Sequence, residues 1–458
     1  MTLTDLSQRM EAHWAWDSFP LVSQAFDEGD EFQEFGLRWT GQGFTYASAP
    51  GWRRRGAPTL DDLPPETCAG VASVIDLPVE GARVSPGAFT DAVGARALRP
   101  LAILRTGHGD AIPLRRRDYW TEAPALAPAI ADMLAERGVR HVCLDLSCDE
   151  IPGRRPDGTG GIANANAAFR ARAHAAGLVV TENLTNVGAL PSEVFLFALP
   201  LRGEGLTTAP CRPVAMTQWV SDSPRVRDVS TPLANHWRWR LDLWREVADA
   251  PFEDRTEWVQ TGHGYTHCDA PRHMERDGAT IQDLPGEGLE LFIGPAWIVD
   301  LSDIPLPSPI TREMLIARAG TPPKGARVVL RSDLTNRLGY HSTRWHTHAP
   351  NLEVAAAEWL VAQEPAAICL DFPQDRVARE MPGRHVANAE FVTHHAVFGA
   401  GVPFIEDLRD LGEVGRRDPF LAAVPLKMTC LDGEPMRALT LEWWTAPRAG
   451  RSAMPGRR

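Results

Sequence analysis

Gly43-Phe44-Thr45-Tyr46-Ala47-Ser48-Ala49-Pro50 and Gly264-Tyr265-Thr266-His267-Cys268-Asp269-Ala270-Pro271 are one stretch written twice, 221 residues apart. The pairing extends outward in both directions. His13-Trp14-Ala15-Trp16 returns as His236-Trp237-Arg238-Trp239 at a shift of 223, and Ile75-Asp76-Leu77 as Val299-Asp300-Leu301 at 224. Cys143-Leu144-Asp145 matches Cys369-Leu370-Asp371 at 226, Glu182 matches Glu406 at 224, and Pro210 with Arg212 matches Pro435 with Arg437 at 225. Offsets confined to 221–226 over half a chain of 458 residues mark a tandem duplication. The two copies are expected at 1–218 and 228–446. A polar linker is expected over 219–227, where Ser221, Ser223 and Pro224 fall, and a flexible tail over 447–458.

Within each copy, short aliphatic runs bounded by Gly or Pro read as strands: Ala72–Leu77, Leu178–Val180, Trp297–Leu301, Val328–Leu330 and Ala367–Leu370. Between them, helical periodicity covers Leu126–Arg137, its counterpart Leu352–Gln363, and Ala389–Phe398. The alternation predicts an α/β fold, present twice. The number of turn-bounded short strands favours a mixed β-sheet over a doubly wound parallel one.

The chemistry concentrates in the second copy. His263, His267, Asp269 and His273 lie within eleven residues around Pro271, which no helix interior would carry. Imidazole and carboxylate are the ligands that a borderline dication such as Zn²⁺ or Mn²⁺ accepts. The first copy supplies an internal control. It places Gln42, Tyr46, Ser48 and Trp52 at those four positions, while Thr45, Ala49 and Pro50 of the frame persist. Substitution that falls on the ligand set and spares the scaffold predicts a metal site in copy two and a structural role for copy one. A second cluster, His394 and Glu406, is expected to meet at one sheet edge through a helix ending near Gly399 and a strand entering Glu406. Copy one keeps Glu182 and has Arg170 in place of the histidine.

A hydrophobic share of 44%, a charged share of 23% and a net charge of −12 describe a globular chain, and argue against nucleic-acid or membrane partners and for a small-molecule substrate. Seven cysteines without a Cys-x-x-Cys pair form no disulfide framework, and Met1–Asp17 has no apolar run, so a cytoplasmic location is expected.

The two motifs resemble the metal-dependent cyclase family that includes kynurenine formamidases and isatin hydrolases. Its signature, His-x-Gly-Thr-His-x-Asp-x-Pro-x-His, reads here as His263 to His273, and its later His and Glu, twelve apart, as His394 and Glu406. One position departs: the family's glycine is Tyr265, with Phe44 in copy one. The resemblance implies a partial barrel with peripheral helices, a swivelling β/β/α arrangement. It also implies a divalent metal, Zn²⁺ or Mn²⁺, on His263, His267 and Asp269. His273, His394 and Glu406 would act as general acid and base, or join Asp269 in a second metal position. Because family members pair subunits, the chain is expected to be a fused pseudo-dimer, as a monomer or homodimer. Tyr265, and His13, Trp14 and Trp16 from copy one, are then candidates for the substrate wall.

The expected reaction is hydrolysis of an amide, lactam, lactone or formamide by metal-activated water, with His273 shuttling the proton and Glu406 orienting His394. A cyclase or dehydratase needs the same groups, and a non-catalytic binding protein is the third reading. His341, His346 and His348 are candidates for substrate contact, with a solvated loop the favoured expectation, and Trp345 is expected in packing. Arg437 is a candidate for binding a substrate carboxylate, but Arg212 keeps its place in copy one, so structural ion pairs are expected for both; Cys268 is expected in packing.

Overall fold

The computed structural model describes residues 1–151, 161–249, 252–429 and 432–443, so the predicted tail over 447–458 lies outside the described residues. Two mixed sheets with one strand order carry the two halves. The first runs Leu3–Asp5, Val214–Met216, Glu193–Phe197, Ala69–Asp76, Leu101–Arg105, His141–Leu144, Val179–Glu182, Tyr46–Ser48, Thr208–Pro210. The second runs Arg225–Asp228, Gly433–Glu442, His267–Asp269, Phe404–Glu406, Ala367–Leu370, Arg327–Arg331, Ile293–Asp300, Phe420–Pro425. Because Gly433–Glu442 also pairs with Phe420–Pro425, the second sheet closes into a barrel. Its counterpart in the first half is broken into Thr208–Pro210 and Val214–Met216.

The central strands of each sheet are parallel and buried on both faces, which explains their unbroken aliphatic runs; the flanking pairs are antiparallel. The expected α/β class with a mixed sheet is what the chain forms, twice. The helices are shorter than their periodicity. Leu126 and Leu352 end two-residue strands, so the helices span Ala129–Glu136 and Val354–Val361. The third is Val392–Phe398, after a 3-10 turn at Asn388–Glu390. Arg225–Asp228 pairs with Gly433–Glu442, so the second sheet begins inside the stretch expected as linker.

Sequence reading did not foresee two hairpins that cross between the halves. Phe19–Gln24 with Glu34–Trp39 and Leu241–Asp249 with Phe252–Thr261 form one four-stranded sheet, joined in the register Trp39↔Trp258 and Gly36↔Thr261. Gly36 is required there, because a Cβ would stand 2.3 Å from the Gln260 carbonyl oxygen. The crossing carries Phe32, Gln33 and Glu34 of copy one to the cleft of copy two. Two ion pairs related like the repeat itself add to the join. Arg212 binds Asp5 at 2.9 Å and donates to the Glu287 carbonyl, and Arg437 binds Asp228 at 2.9 Å and donates to the Pro200 carbonyl. Both arginines are structural, as their presence in both copies suggested.

The first half is expected to lose stability in acid through one buried histidine. His141 is fully buried, with Nδ1 2.9 Å from the Thr67 carbonyl and Nε2 2.7 Å from Thr181 Oγ1. Burial pushes it down to about 4. It stays neutral in the fold while the unfolded chain takes a proton near its ordinary value of 6.5. Its contribution is therefore complete above pH 6.5 and declines as pH falls to 4, by about 3 kcal/mol in all. Copy two has Ala367 at this place. Urea unfolding of the wild type should lose stability through that window, and His141→Gln should flatten the slope; an unchanged slope would refute the assignment.

Candidate metal centre

His267–Asp269 is a three-residue strand between Phe404–Glu406 and Gly433–Glu442. Alternation sends His267 and Asp269 to one side and Cys268 into the aliphatic core, where burial pushes its thiol well up. Register sets Glu406 directly opposite His267. Pro271 starts a 3-10 turn, Pro271–His273, that brings His273 back beside His263, with ring centroids 3.7 Å apart. His394 arrives from the helix Val392–Phe398.

Three overlapping groups result: His263, His267 and Asp269; Asp269, His394 and Glu406; and His263, His273 and Asp432, each with ligand atoms within 4.8 Å of one another. His263 Nδ1 is 2.7 Å from Asp269 Oδ1, and its Nε2 is 2.5 Å from Asp432 Oδ2. His267 Nε2 lies 3.2 Å from Asp269 Oδ1 and 3.9 Å from Glu406. His394 Nε2 lies 3.6 Å from Glu406 and 4.0 Å from Asp269. All six residues singled out in the sequence converge here.

Sequence reading missed four partners. Asp432 accepts from His273 Nδ1 at 3.0 Å, beside the Gln33 carbonyl of copy one at 2.9 Å. Asp375 lies 2.6 Å from His394 Nδ1 and accepts from the Thr393 and His394 amides, which turns Nε2 toward Glu406. Gln374 Nε2 donates to Glu406 at 2.7 Å, and Asp407 accepts from Tyr340 at 2.6 Å. Asp432 was findable by the same internal control. Its carbonyl accepts from Ala270 as the Thr207 carbonyl accepts from Ala49, so a carboxylate faces a threonine across the repeat.

Burial would strip protons from these imidazoles, yet the facing carboxylates win. They hold His263 well above its ordinary value, His267 at about 9 and His394 at about 10. Burial likewise pushes the carboxylates up, and the imidazoles outweigh it, holding Asp269, Asp375 and Asp432 low. A buried carboxylate cluster paired directly with protonated histidines is the donor set a dication can take over. Asp432 Oδ1, buried and without a hydrogen-bond partner among the described residues, fits the same reading.

Copy one fills the corresponding space with a side-chain cation. Arg170 Nη1 donates to Asp149 at 2.6 Å, Glu182 at 2.8 Å and Tyr46 Oη at 2.7 Å, and its guanidinium stacks 4.3 Å over Trp52. Every metal-capable group among the described residues belongs to copy two.

The site opens into a cleft of about 530 Å³ whose walls include Phe32 and Glu34 from copy one and Trp239, Met274 and Phe391 from copy two. Three expectations are corrected. Tyr265 sits at φ 58°, as Phe44 does at 51°, and its ring is 1% exposed. Its hydroxyl donates to the Ala234 carbonyl, so the ring packs in the core and only its carbonyl, 2.9 Å from His267 Nδ1, serves the site. His13, Trp14 and Trp16 belong to copy one's own aromatic cluster with Trp120, and the crossing hairpin of residues 19–39 supplies the wall in their place. His346, expected on a solvated loop, is 2% exposed and lines the cleft, on a short helix Thr343–Thr347 held by the buried Trp345. His341 is exposed, as expected, and His348 contacts Thr347.

The sequence model of the Cyclase family matches residues 4–150 and 208–374, more than half of the chain. A kynurenine formamidase of Bordetella petrii is 27% identical over 223 residues, 49% of this chain and 94% of that protein. One of Bacillus cereus is 26% identical over 225 residues, 46% of this chain and 95% of that protein. Among solved structures, isatin hydrolase A of Ralstonia solanacearum aligns at 23% identity and a TM-score of 0.40, over 48% of this chain and 92% of that one. No helix among the described residues is long and apolar enough to cross a membrane.

Proposed function

Since the chain belongs to the Cyclase family, we propose that it is a metal-dependent hydrolase of an amide, lactam, lactone or formamide bond in a small molecule. The observation that carries the reading is the set of three overlapping groups, linked to one another through His263 and Asp269. Relatives that match about half of this chain over nearly their whole length support a reading as two units, which we place at 1–218 and 228–446; the metal-capable groups favour the second for the chemistry. The first then serves as a partner fused in place, supplying Gln33 and Glu34.

His263, His267 and Asp269 would hold one dication, with Asp269, His394 and Glu406 as the place of a second; zinc and manganese both suit the set. The bound ion supplies Lewis-acid polarisation of a carbonyl and acidification of water. The protein's own groups do the rest. Asp432 and the Gln33 carbonyl fix the proton of His273 on Nδ1, which leaves Nε2 as the proton acceptor. Asp375 likewise sets the tautomer of His394, and Gln374 orders Glu406. His273→Gln should keep metal content near normal and lower kcat about a hundredfold or more. Full activity in that variant would remove His273 from the mechanism.

The test of the reading is metal content of the purified protein by plasma mass spectrometry, with turnover of a panel of formamides, lactams and lactones. One to two equivalents of zinc or manganese with turnover of a panel member support a metallohydrolase. Metal without turnover favours the cyclase or dehydratase reading, since both chemistries use this site. No bound metal would falsify the proposal.

A further inference from the structure

The four-stranded sheet that crosses between the halves has two free edges, and they are built differently. The copy-one edge, Phe19–Gln24, is blunted. Pro20, opposite Leu37, has no N–H to offer, and the register shifts between Val22 and Gln24. The copy-two edge, Leu241–Asp249, has neither device. Its nine residues pair with Phe252–Thr261 without a break, and Leu243, opposite Trp258, stands at the place of Pro20. An open edge about 30 Å long is normally protected by charge, proline or a bulge.

Large apolar side chains stand along this edge on both faces. Leu243 and Val247 are 42% and 46% exposed on one, and Trp244 is 56% exposed on the other. A single exposed apolar residue needs no account, but three within five positions of an unpaired strand mark a contact surface. Two of the strand's charges are already paired within the chain. Asp242 binds Arg240 at 2.6 Å, and Arg245 binds Asp254 of its own hairpin.

We infer that the Leu241–Asp249 edge is a homodimer interface, to which a second copy of the chain adds its own Leu241–Asp249 antiparallel about a two-fold axis. In the register centred on Arg245, Leu243 of one copy meets Val247 of the other. Glu246 lies opposite Trp244 instead of opposite itself, and the two Trp244 rings are diagonal neighbours. The two Arg245 side chains that meet at the axis are each neutralised by Asp254, so identical strands approach without unpaired like charges in contact. Association stops at two. The blunted Phe19–Gln24 edges are poor acceptors of a further strand, so two four-stranded sheets join into one closed sheet and not a filament. The same sheet brings Gln33 to His273 through Glu34–Trp39, so the dimer braces both crossings. The pairing does not depend on the chemistry of the cleft.

Sedimentation equilibrium of the purified chain tests this over a dilution series from about 100 to about 1 µM, because a strand-edge contact is a small interface of about micromolar affinity. Wild type should be a dimer at the upper end and dissociate on dilution. Trp244→Lys, at an exposed site, should raise the dissociation constant at least about tenfold. Leu243→Pro, which installs copy one's residue, should leave a monomer. Hydrogen exchange should show amides of Leu241–Asp249 slower in wild type than in Trp244→Lys, with those of Phe252–Thr261 slow in both. A wild type that stays monomeric throughout overturns the inference, whatever else covers the edge. A dimer with an unchanged dissociation constant in Trp244→Lys pairs elsewhere and overturns it equally.

Discussion

An Asp269→Ser protein is expected to fold and to hold almost no metal. Serine is what copy one has there, as Ser48, in a strand of the same register, so the backbone tolerates the change. Asp269 belongs to two of the three candidate groups, and its oxygens lie 2.7 Å from His263 and 3.2 Å from His267. Removing the shared carboxylate dismantles both positions at once, while a change at His394 would touch one. Metal content should drop below a tenth of the wild-type value. Turnover of whatever panel substrate the wild type accepts should fall at least about a thousandfold, or ~4 kcal/mol of activation free energy. Stoichiometric metal in this variant would move the centre to His263, His273 and Asp432.

Arg170→Met is expected to be among the most destabilising single substitutions in the chain without touching the metal centre. Arg170, Asp149 and Glu182 are buried together, and among the described residues the guanidinium is the one cation in ion-pair contact with both carboxylates. Removing one partner of a buried ion pair leaves uncompensated charge, at a cost of about 3–5 kcal/mol. The sign with pH follows from Glu182, which burial raises to about 7 even with Arg170 beside it. Without Arg170 the carboxylates escape the penalty by taking protons, so the loss should be larger at pH 8 than at pH 6. Urea unfolding at both values, with metal content as a control, checks it. A loss under about 1 kcal/mol would mean that water, and not the arginine, satisfies those carboxylates.

The two substitutions probe one spatial feature in two forms. Each half builds a buried pocket of acceptors at the mouth of the same strand order. Copy two is suited to a dication, and copy one closes the pocket with an arginine. The pairing of Tyr46 with Glu182 repeats that of His267 with Glu406, so the exchange happened on an unchanged frame.

The sequence by itself determined the duplication, the mixed α/β class and six of the residues that meet in the centre. Those properties are local or periodic. A motif of eleven residues fixes its own strand and turn, and the copies can be compared position by position. Asp432, Gln374, Asp375 and Asp407 were not singled out, because each lies in an ordinary turn or strand end and gains meaning only from what folds against it. His13, Trp14 and Trp16 were misplaced for the related reason that the repeat specifies two clefts and not which segment crosses between them. The tertiary structure alone decided that. The pairing of Glu34–Trp39 with Phe252–Thr261 brings the Gln33 carbonyl to His273, 240 residues away. It also set Tyr265 in the core and left Arg238 and His346 facing the cleft without partners. Hydrogen-bond satisfaction is a property of the assembled neighbourhood, and no spacing within a sequence encodes it.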